Sequence, residues 1–521
     1  MDRRAFLTAA ATAGLLSSQA PISPASATSS SRTLRTDPFT LGVASGDPSS
    51  DGFVLWTRLA VNPLSSDGRG GMPARDVQVD WQVSADERFS RIVESGTATA
   101  RARDAHSVHV ELKGLEPGRD YFYRFRSEGR ISPTGRTRTT PTGETTPLTF
   151  AVAACAHYEH GYYTAYRRLA EEEPDLVVFL GDYMYEYGPS GYTALAGRVR
   201  THTPGKCQTL ADYRLRHAQY KSDHDLQAAH AAAPWLVAFD DHEVENNWAG
   251  PVSSRETPGF ARLRAEAFRA YYENMPLRRA SLNGAVLKVN RRISWGTLAR
   301  FHLLDTRQFR DDQACLDGVR AGCDDRLADQ RTLLGAGQWR WLEEGLRGST
   351  TRWNLLGQQI MMTHRDYKVG PGREVNLDSW DGYAAERTRL LGSLARTPNP
   401  VVLTGDAHMH HLAELKTDFD DPDSPVVARE LVASSIASDG DGYRDRTWIA
   451  EALQENPHIS YIDQRRGYLV ARLTSDDLSV DYRTLDYISR RGAKAKTAHR
   501  ISIPALTGAA AAGQAGAPPV G

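Results

Sequence analysis

An excess of charge of either sign is missing from this 521-residue chain: Lys and Arg total 63, Asp and Glu 64, and the formal net charge is −1. That balance gives no global field for nucleic acid, an anionic membrane or a polycationic partner, so any charge that matters is local. Cysteine is scarce, with four residues. No internal repeat is evident, and no Gly-x-Ser-x-Gly elbow is present, which leaves a covalent serine route little support. The only N-terminal apolar stretch is too short and too weak to span a bilayer, and no transmembrane segment is expected. What remains, with 40% hydrophobic and 24% charged residues, is an ordinary globular composition, long enough for a large core and more than one domain.

The first residues, Met1-Asp2-Arg3-Arg4-Ala5-Phe6-Leu7, precede an apolar run and then Ala25-Ser26-Ala27, which is the order charged region, apolar region, small-residue cleavage site. The paired arginines before Phe6-Leu7 resemble a twin-arginine signal at 1–27, a route that exports proteins already folded, against the plainer reading of a general secretory signal. The expectation is a secreted, periplasmic or cell-wall protein with the twin-arginine machinery as a partner. Loss of that segment removes Asp2, Arg3 and Arg4 and takes the formal charge from −1 to −2. In an oxidising compartment Cys315 and Cys323, bracketing a short Gly- and Asp-containing loop, look like a local disulfide; Cys155 and Cys207 are left to explain.

Residues 28–37 are Ser- and Thr-rich and expected to be a disordered lead-in. Over 38–142, Val77, Val79, Trp81 and Val83 alternate with polar residues, as do Val108, Val110 and Leu112, and then Tyr121, Tyr123 and Phe125. That is the period of strands with one buried face, and Gly114-Leu115-Glu116-Pro117-Gly118 supplies turn chemistry between the last two runs. A small β-sandwich resembling fibronectin type III modules is expected there, with a structural role. After a Thr- and Pro-containing linker at 139–147, apolar runs alternate with amphipathic ones through 148–495, the pattern of an α/β or α+β domain. Strands are expected at Leu148–Ala154, Leu176–Leu180, Trp235–Phe239, Leu298–Leu304, Trp353–Gly357 and Val401–Thr404, with a helix at Tyr163–Glu173. The uncharged Ala, Gly and Pro tail at 505–521 is expected to be disordered.

Four of these strands end on residue types that bind metal. Cys155 follows the first, Gly181-Asp182-Tyr183-Met184-Tyr185 the second, Asp240-Asp241-His242-Glu243 the third, and Gly405-Asp406-Ala407-His408 a late one. Ligands collect outside the carboxyl ends of strands joined by crossover helices, because the loops there converge. Taken singly each signal has a bland alternative: an Asp after Gly caps a turn, His242 or His408 is a hydrogen-bonded core histidine, Tyr185 packs, and Cys155 is a small hydrophobe. Together and in this order they predict one shared site.

The same residues resemble the calcineurin-like metallophosphoesterases and, through the tyrosine, purple acid phosphatases. More closely, Gly42-Val43-Ala44-Ser45-Gly46-Asp47-Pro48, Tyr158-Glu159-His160-Gly161-Tyr162, Gly181-Asp182-Tyr183, Asp240-Asp241-His242-Glu243-Val244, Asn246-Asn247 and Asp305-Thr306-Arg307-Gln308 look like the PhoD family of alkaline phosphatases and phosphodiesterases. The resemblance runs from about residue 39 to about 490 and implies a metallophosphoesterase β-sandwich core with flanking helices behind the fibronectin-like sandwich. It also implies iron(III) and one or two calcium ions. Carried over, Cys155, Tyr185 and His408 would bind iron, Asp182 would bridge and take part in catalysis, and Asp241, Asn247 and Asp406 would serve calcium. Cys155-Ala156-His157 replaces the Asp-x-His of many relatives, and Asp406 stands where Gly-His-x-His has an imidazole. Both departures favour iron and calcium over zinc or manganese. His410 and His411 compete with His408 for the ligand role.

The implied activity is hydrolysis of small-molecule or lipid phosphate esters, monoester or diester, by a metal-bound hydroxide or oxide. His242 is placed either to orient or protonate the leaving group or to support the metal ligands. A phospholipase D-type phosphodiesterase is the alternative within enzymes, and a non-catalytic metal- or phosphate-binding protein the alternative outside them. Replacing Arg3 and Arg4 by lysine is expected to trap precursor inside the cell. Immunoblots of cell and culture fractions test this, and unchanged secretion would make 1–27 an ordinary secretory signal.

Overall fold

The computed structural model describes residues 36–143, 146–195, 197–203 and 205–506. The signal at 1–27, the lead-in through residue 35 and the tail from 507 lie outside the described residues. Ala505 and Leu506, expected in that tail, are instead tied down. Ala505 N donates to Asp476 O at 2.7 Å, and Leu506 N donates to Asn399 Oδ1 at 2.7 Å.

Two sheets make the centre of the molecule. Among the described residues one has nine strands, in the spatial order Ala495–Pro504, Asp477–Leu485, Gly467–Leu473, Leu148–Ala153, Leu176–Leu180, Pro234–Ala238, Val43–Ser49, Gly52–Arg58 and Ser107–Glu111. The other has seven, in the order Arg291–Trp295, Ala299–Leu303, Trp353–Gly357, Pro400–Thr404, Val426–Val432, His410–Lys416 and Ile459–Asp463. The inner strands are parallel and buried on both faces, which is why Leu176–Leu180 reads Leu-Val-Val-Phe-Leu without a polar residue.

Side-chain alternation then sorts each strand between two layers. Phe150, Val152, Leu176, Val178 and Leu180 turn inward to meet Phe301, Leu303, Trp353, Leu355, Val401 and Leu403 of the second sheet. Phe150 and Phe301 meet edge to face at 5.4 Å between ring centroids. Their neighbours Val177, Phe179, Trp235 and Val237 turn outward into a core shared with the helices Thr164–Glu171, Leu210–Lys221, His224–Ala232 and Phe260–Asn274. Leu356 and Val402 do the same on the far side with Gly335–Arg347 and Ala384–Leu394. The result is helices, sheet, sheet, helices.

The N-terminal β-sandwich is present. Ile92–Ala100, Val77–Ser84, Asp120–Ser127, Arg130–Ile131 and Gly135–Arg138 form a separate five-stranded sheet. Phe53 packs on Tyr121 from across the layers, with ring centroids 5.9 Å apart. The opposing strands Val43–Ser49, Gly52–Arg58 and Ser107–Glu111 are at the same time the end of the nine-stranded sheet, through parallel pairing of Ser45 with Pro234 and Gly46 with Trp235. Segment 38–142 therefore supplies strands to the five-stranded sheet and to the nine-stranded one.

Because the inter-sheet layer is close-packed, Phe150→Ala is expected to destabilise the protein by about 3–5 kcal/mol. The loss is read as a lower melting temperature and an earlier urea transition, with Phe150→Leu falling between. An unchanged transition would mean that Phe150 is not part of a rigid core.

A candidate metal centre at the strand ends

The parallel strands Leu148–Ala153, Leu176–Leu180 and Pro234–Ala238 stop at the same edge, and Pro400–Thr404 of the second sheet stops opposite them. Each is followed by a sharp turn. Gly181, at φ 104°, has Asp240 so close that an added Cβ would lie 2.5 Å from the Asp240 Cβ. At Gly405 a Cβ would lie 2.7 Å from the Ala154 Cβ, so strands from the two sheets approach closely only because this residue has no side chain.

A run of non-glycine residues in the left-handed region marks the same edge: Cys155 (φ 58°), Asp182 (57°), Asn247 (51°), Asp406 (55°), His408 (53°) and Asp439 (65°). Such backbone is disfavoured for side-chain-bearing residues and gathers where geometry serves a site. The Glu243 carboxylate ties two of these turns together, accepting from Asp182 N at 3.1 Å, Tyr183 N at 2.5 Å and Asp240 N at 2.8 Å.

The turns deliver three overlapping groups whose ligand atoms lie within 4.8 Å of one another: Cys155, Asp182 and His408; Asp182, Asp241 and His242; and Asp182, Asp240 and Asp406. Asp182 belongs to all three. Tyr185 joins the first group, with its Oη 2.9 Å from Asp182 Oδ2, 3.1 Å from His408 Nε2 and 2.7 Å from Ser438 Oγ. His408 Nδ1 is taken by Asp439 Oδ2 at 2.8 Å, which turns Nε2 toward the cluster. His410 is outside: its Nδ1 accepts from Ser434 N at 3.0 Å and its Nε2 meets Arg483 O at 3.2 Å. His411 Nε2 faces the Arg365 guanidinium at 3.4 Å. Asn247 reaches the centre through Asp241, donating its backbone N–H to Oδ2 at 2.7 Å.

The electrostatics of this cluster call for a cation. Burial, followed by the neighbouring carboxylates, pushes the Asp182 and Asp406 carboxyls well above their ordinary range. Burial also raises Asp240 to about 6, against the pull of Arg307. Asp241 is held low by His242 and Arg307 although burial opposes it. Arg307 is fully buried, with Nε on Asp240 Oδ1 at 2.5 Å and Nη1 on Asp378 Oδ1 at 2.9 Å, so its charge is shared before it reaches the rest. Among the described residues Asp182 Oδ1, Asp240 Oδ2 and Asp241 Oδ1 are buried without a hydrogen-bond partner. Orphaned carboxylate oxygens are costly unless an ion takes them, and Asp182, common to all three groups, stands beside a thiol, a phenol and an imidazole. The buried Asp, His and Cys groups could hold metal, and the donor set fits it.

His242 sits against the centre, its Nδ1 2.9 Å from Glu186 Oε2 and its ring stacked on Tyr185 at 4.1 Å. Burial alone would lower its pKa, but Asp241, Asp182 and Glu186 together raise it well above the ordinary value. Cys207 lies away from the centre, in the apolar core under the helices, where burial pushes its thiol up to about 12. Cys315 and Cys323 form the disulfide.

Sequence reasoning gave no role to Asp240, Arg307, Ser438, Asp439 or Asp317, all of which the structure brings to the centre or its supports. Asp240 and Arg307 lie inside motifs quoted above, one residue from a chosen ligand in the first case. Asp439 sits in Ser438-Asp439-Gly440-Asp441-Gly442, which reads as a plain turn.

Comparison with known proteins agrees with this architecture. Residues 150–482 match the PhoD-like phosphatase family and residues 24–141 match its N-terminal domain, so the chain belongs to the PhoD-like phosphatase family. It is similar to alkaline phosphatase D of Bacillus subtilis (strain 168), with 48% identity over 467 residues, 88% of this chain and 80% of that protein. It is also similar to a solved structure of PhoD, with a TM-score of 0.88, 46% identity and 91% of each chain covered.

Asp182→Asn alters a residue at a turn end, and Cys155→Ser exchanges one sulfur for oxygen at the rim of the apolar layer between the sheets. Each is expected to keep its circular dichroism while losing at least about tenfold in metal affinity. Elemental analysis after dialysis checks this, and wild-type metal content in either variant would remove that residue from the centre.

Proposed function

We propose that the protein is an exported, metal-dependent alkaline phosphatase acting on phosphate monoesters or diesters. Cys155, Tyr185 and His408 would hold iron(III), Asp182 would be shared between the ions, and Asp241, Asn247 and Asp406 would hold calcium. The observation that carries this reading is that Asp182 Oδ1, Asp240 Oδ2 and Asp241 Oδ1 are buried without a hydrogen-bond partner, while Asp182 is shared by three ligand groups, one with the Cys155 thiol and the His408 imidazole, one with Asp241 and His242, and one with Asp240 and Asp406. Sulfur and phenolate donors suit iron, and oxygen-only donors suit calcium. When bound, such cations supply positive charge to the phosphoryl oxygens and acidify water. The family membership and the named relatives support the activity.

The chain's own residues divide the remaining work. Glu186 engages His242 Nδ1 and holds the ring against Tyr185, so that Nε2 is left to deliver a proton to the leaving oxygen. Arg307, locked between Asp240 and Asp378, fixes the Asp240–Asp241 turn and keeps one cationic charge at its base. Asp439 holds the His408 tautomer, and Tyr192 Oη donates to the second Asp439 oxygen at 2.5 Å.

The test is hydrolysis of one monoester and one diester after dialysis against a calcium-selective chelator. Activity is expected to fall and to return with calcium but not zinc, and Asp406→His is expected to weaken that dependence. Full activity in calcium-depleted protein would refute the calcium assignment. Metal binding with no turnover of either ester would make the protein a binder instead of an enzyme.

A further inference from the structure

The Cys315–Cys323 loop reaches Asn247, whose backbone N–H is fixed on Asp241 of the candidate centre. Gln313 Nε2, at its entry, donates to Asn247 O at 2.8 Å and to Asp378 Oδ1 at 2.7 Å. Two residues beyond Cys315, Asp317 Oδ2 accepts from Asn247 Nδ2 at 2.8 Å, while Asp317 Oδ1 accepts from Gly318 N at 2.5 Å. A carboxylate only accepts, so the end of the Asn247 amide that meets it is the NH2 group, and Oδ1, the sole oxygen donor to a cation, is turned away from Asp317. Asn247 N is already fixed on Asp241 Oδ2. Asn247 is thus held at its N–H by a residue of the centre, and at its carbonyl and its side chain by the disulfide loop and its entry.

The loop would not hold this shape unaided. Cys315, Leu316 and Asp317 are three consecutive residues in the left-handed region, at φ 52°, 74° and 67°, a run that non-glycine residues avoid. Leu316 is 90% exposed and contributes no packing. What retains the loop is the disulfide, the small apolar cluster of Ala314, Cys323, Val375 and Leu377, and the pairing of Val319–Ala321 with Glu374–Asn376.

We propose that Asp317 is a positioning residue that aims the Asn247 amide oxygen at the cation, and that closure of the Cys315–Cys323 disulfide, by presenting Asp317, is linked to retention of that cation. The inference rests on the reading of Asn247 as a calcium ligand. Cys315 is exposed, so a water-soluble phosphine can reach the bond. The phosphine takes oxygen from water and becomes its oxide, while the two hydrogens of water end on the Cys315 and Cys323 sulfurs.

The experiment measures the calcium dissociation constant of the folded full-length protein by competition with a fluorescent chelator. It compares wild type before and after phosphine treatment with Asn247→Ala, Asp317→Ala, Asp317→Asn and the double variant Cys315→Ser with Cys323→Ser. Asn247→Ala, Asp317→Ala, the double variant and the reduced wild type are each expected to weaken binding by about tenfold or more. Asp317→Asn, whose carbonyl still accepts from Asn247 Nδ2, is expected to stay within a few-fold of wild type. The reduced wild type is made from folded protein, so that arm does not depend on any variant folding. Unchanged binding in Asn247→Ala would overturn the calcium reading itself. Weakened binding in Asn247→Ala with none in Asp317→Ala would overturn the positioning role alone, and weakening in Asp317→Ala with none on reduction or in the double serine variant would overturn the link to the disulfide.

Discussion

Mutual repulsion among Asp182, Asp240, Asp241 and Asp406 is the constraint around which the molecule is arranged. Their carboxyls converge at the ends of strands from two sheets, and the arginine among them, Arg307, is shared with Asp378. Like charges this close in a buried setting either take up protons or require cations. The remainder of the edge serves that requirement. Glu243 clamps the turns through backbone N–H groups, the close approaches at Gly181 and Gly405 let the strand ends meet, and residue after residue is held in left-handed backbone. A site with this much disfavoured geometry needs a rigid base, which the apolar layer between the sheets supplies.

Support for the centre also comes from outside the strands. Asp439 and Glu186 each hold a histidine by Nδ1, and Asp317 holds an asparagine by Nδ2. Asp439 and Glu186 act on the far side of rings that face the cluster, and Asp317 would do the same for the amide of Asn247. Loss of such an outer contact typically costs about 10–100-fold in metal affinity.

Much of this was legible in the sequence, and the reason is the strand grammar. Leu176–Leu180 and Trp353–Gly357 fall where their apolar runs place them, and the other four expected strands differ by one residue, at one end for Leu148–Ala153 and Pro400–Thr404 and at both for Pro234–Ala238 and Ala299–Leu303. Because those strands are parallel, the residues after them had to share an edge, and Cys155, Asp182, Asp241, Asp406 and His408 do meet there. The choice among His408, His410 and His411 was not legible, since it turns on which ring nitrogens the backbone of Ser434 and Arg483 occupies. Nor were Asp439 and Asp317, which sit in turn-rich segments where an aspartate usually serves its own backbone. The N-terminal strands alternate as a half-buried sandwich should, and that pattern carries no sign that Val43–Ser49 also pairs with Pro234–Ala238. Pairing partners distant in sequence leave no local trace.

That pairing has a consequence for how the chain reaches its final state. A strand at Val43–Ser49 waits for one at Pro234–Ala238, while Leu148–Ala153 waits for Gly467–Leu473 near the far end. Contacts so remote along the polymer close late and slowly, because loop entropy must be overcome before they form. The sheet that carries the strand-end cluster is therefore completed only after nearly all of the chain has been synthesised. Neither the amino-terminal module nor the last strands can be removed without opening an edge of that sheet, so the base under the centre draws on both ends of the polypeptide.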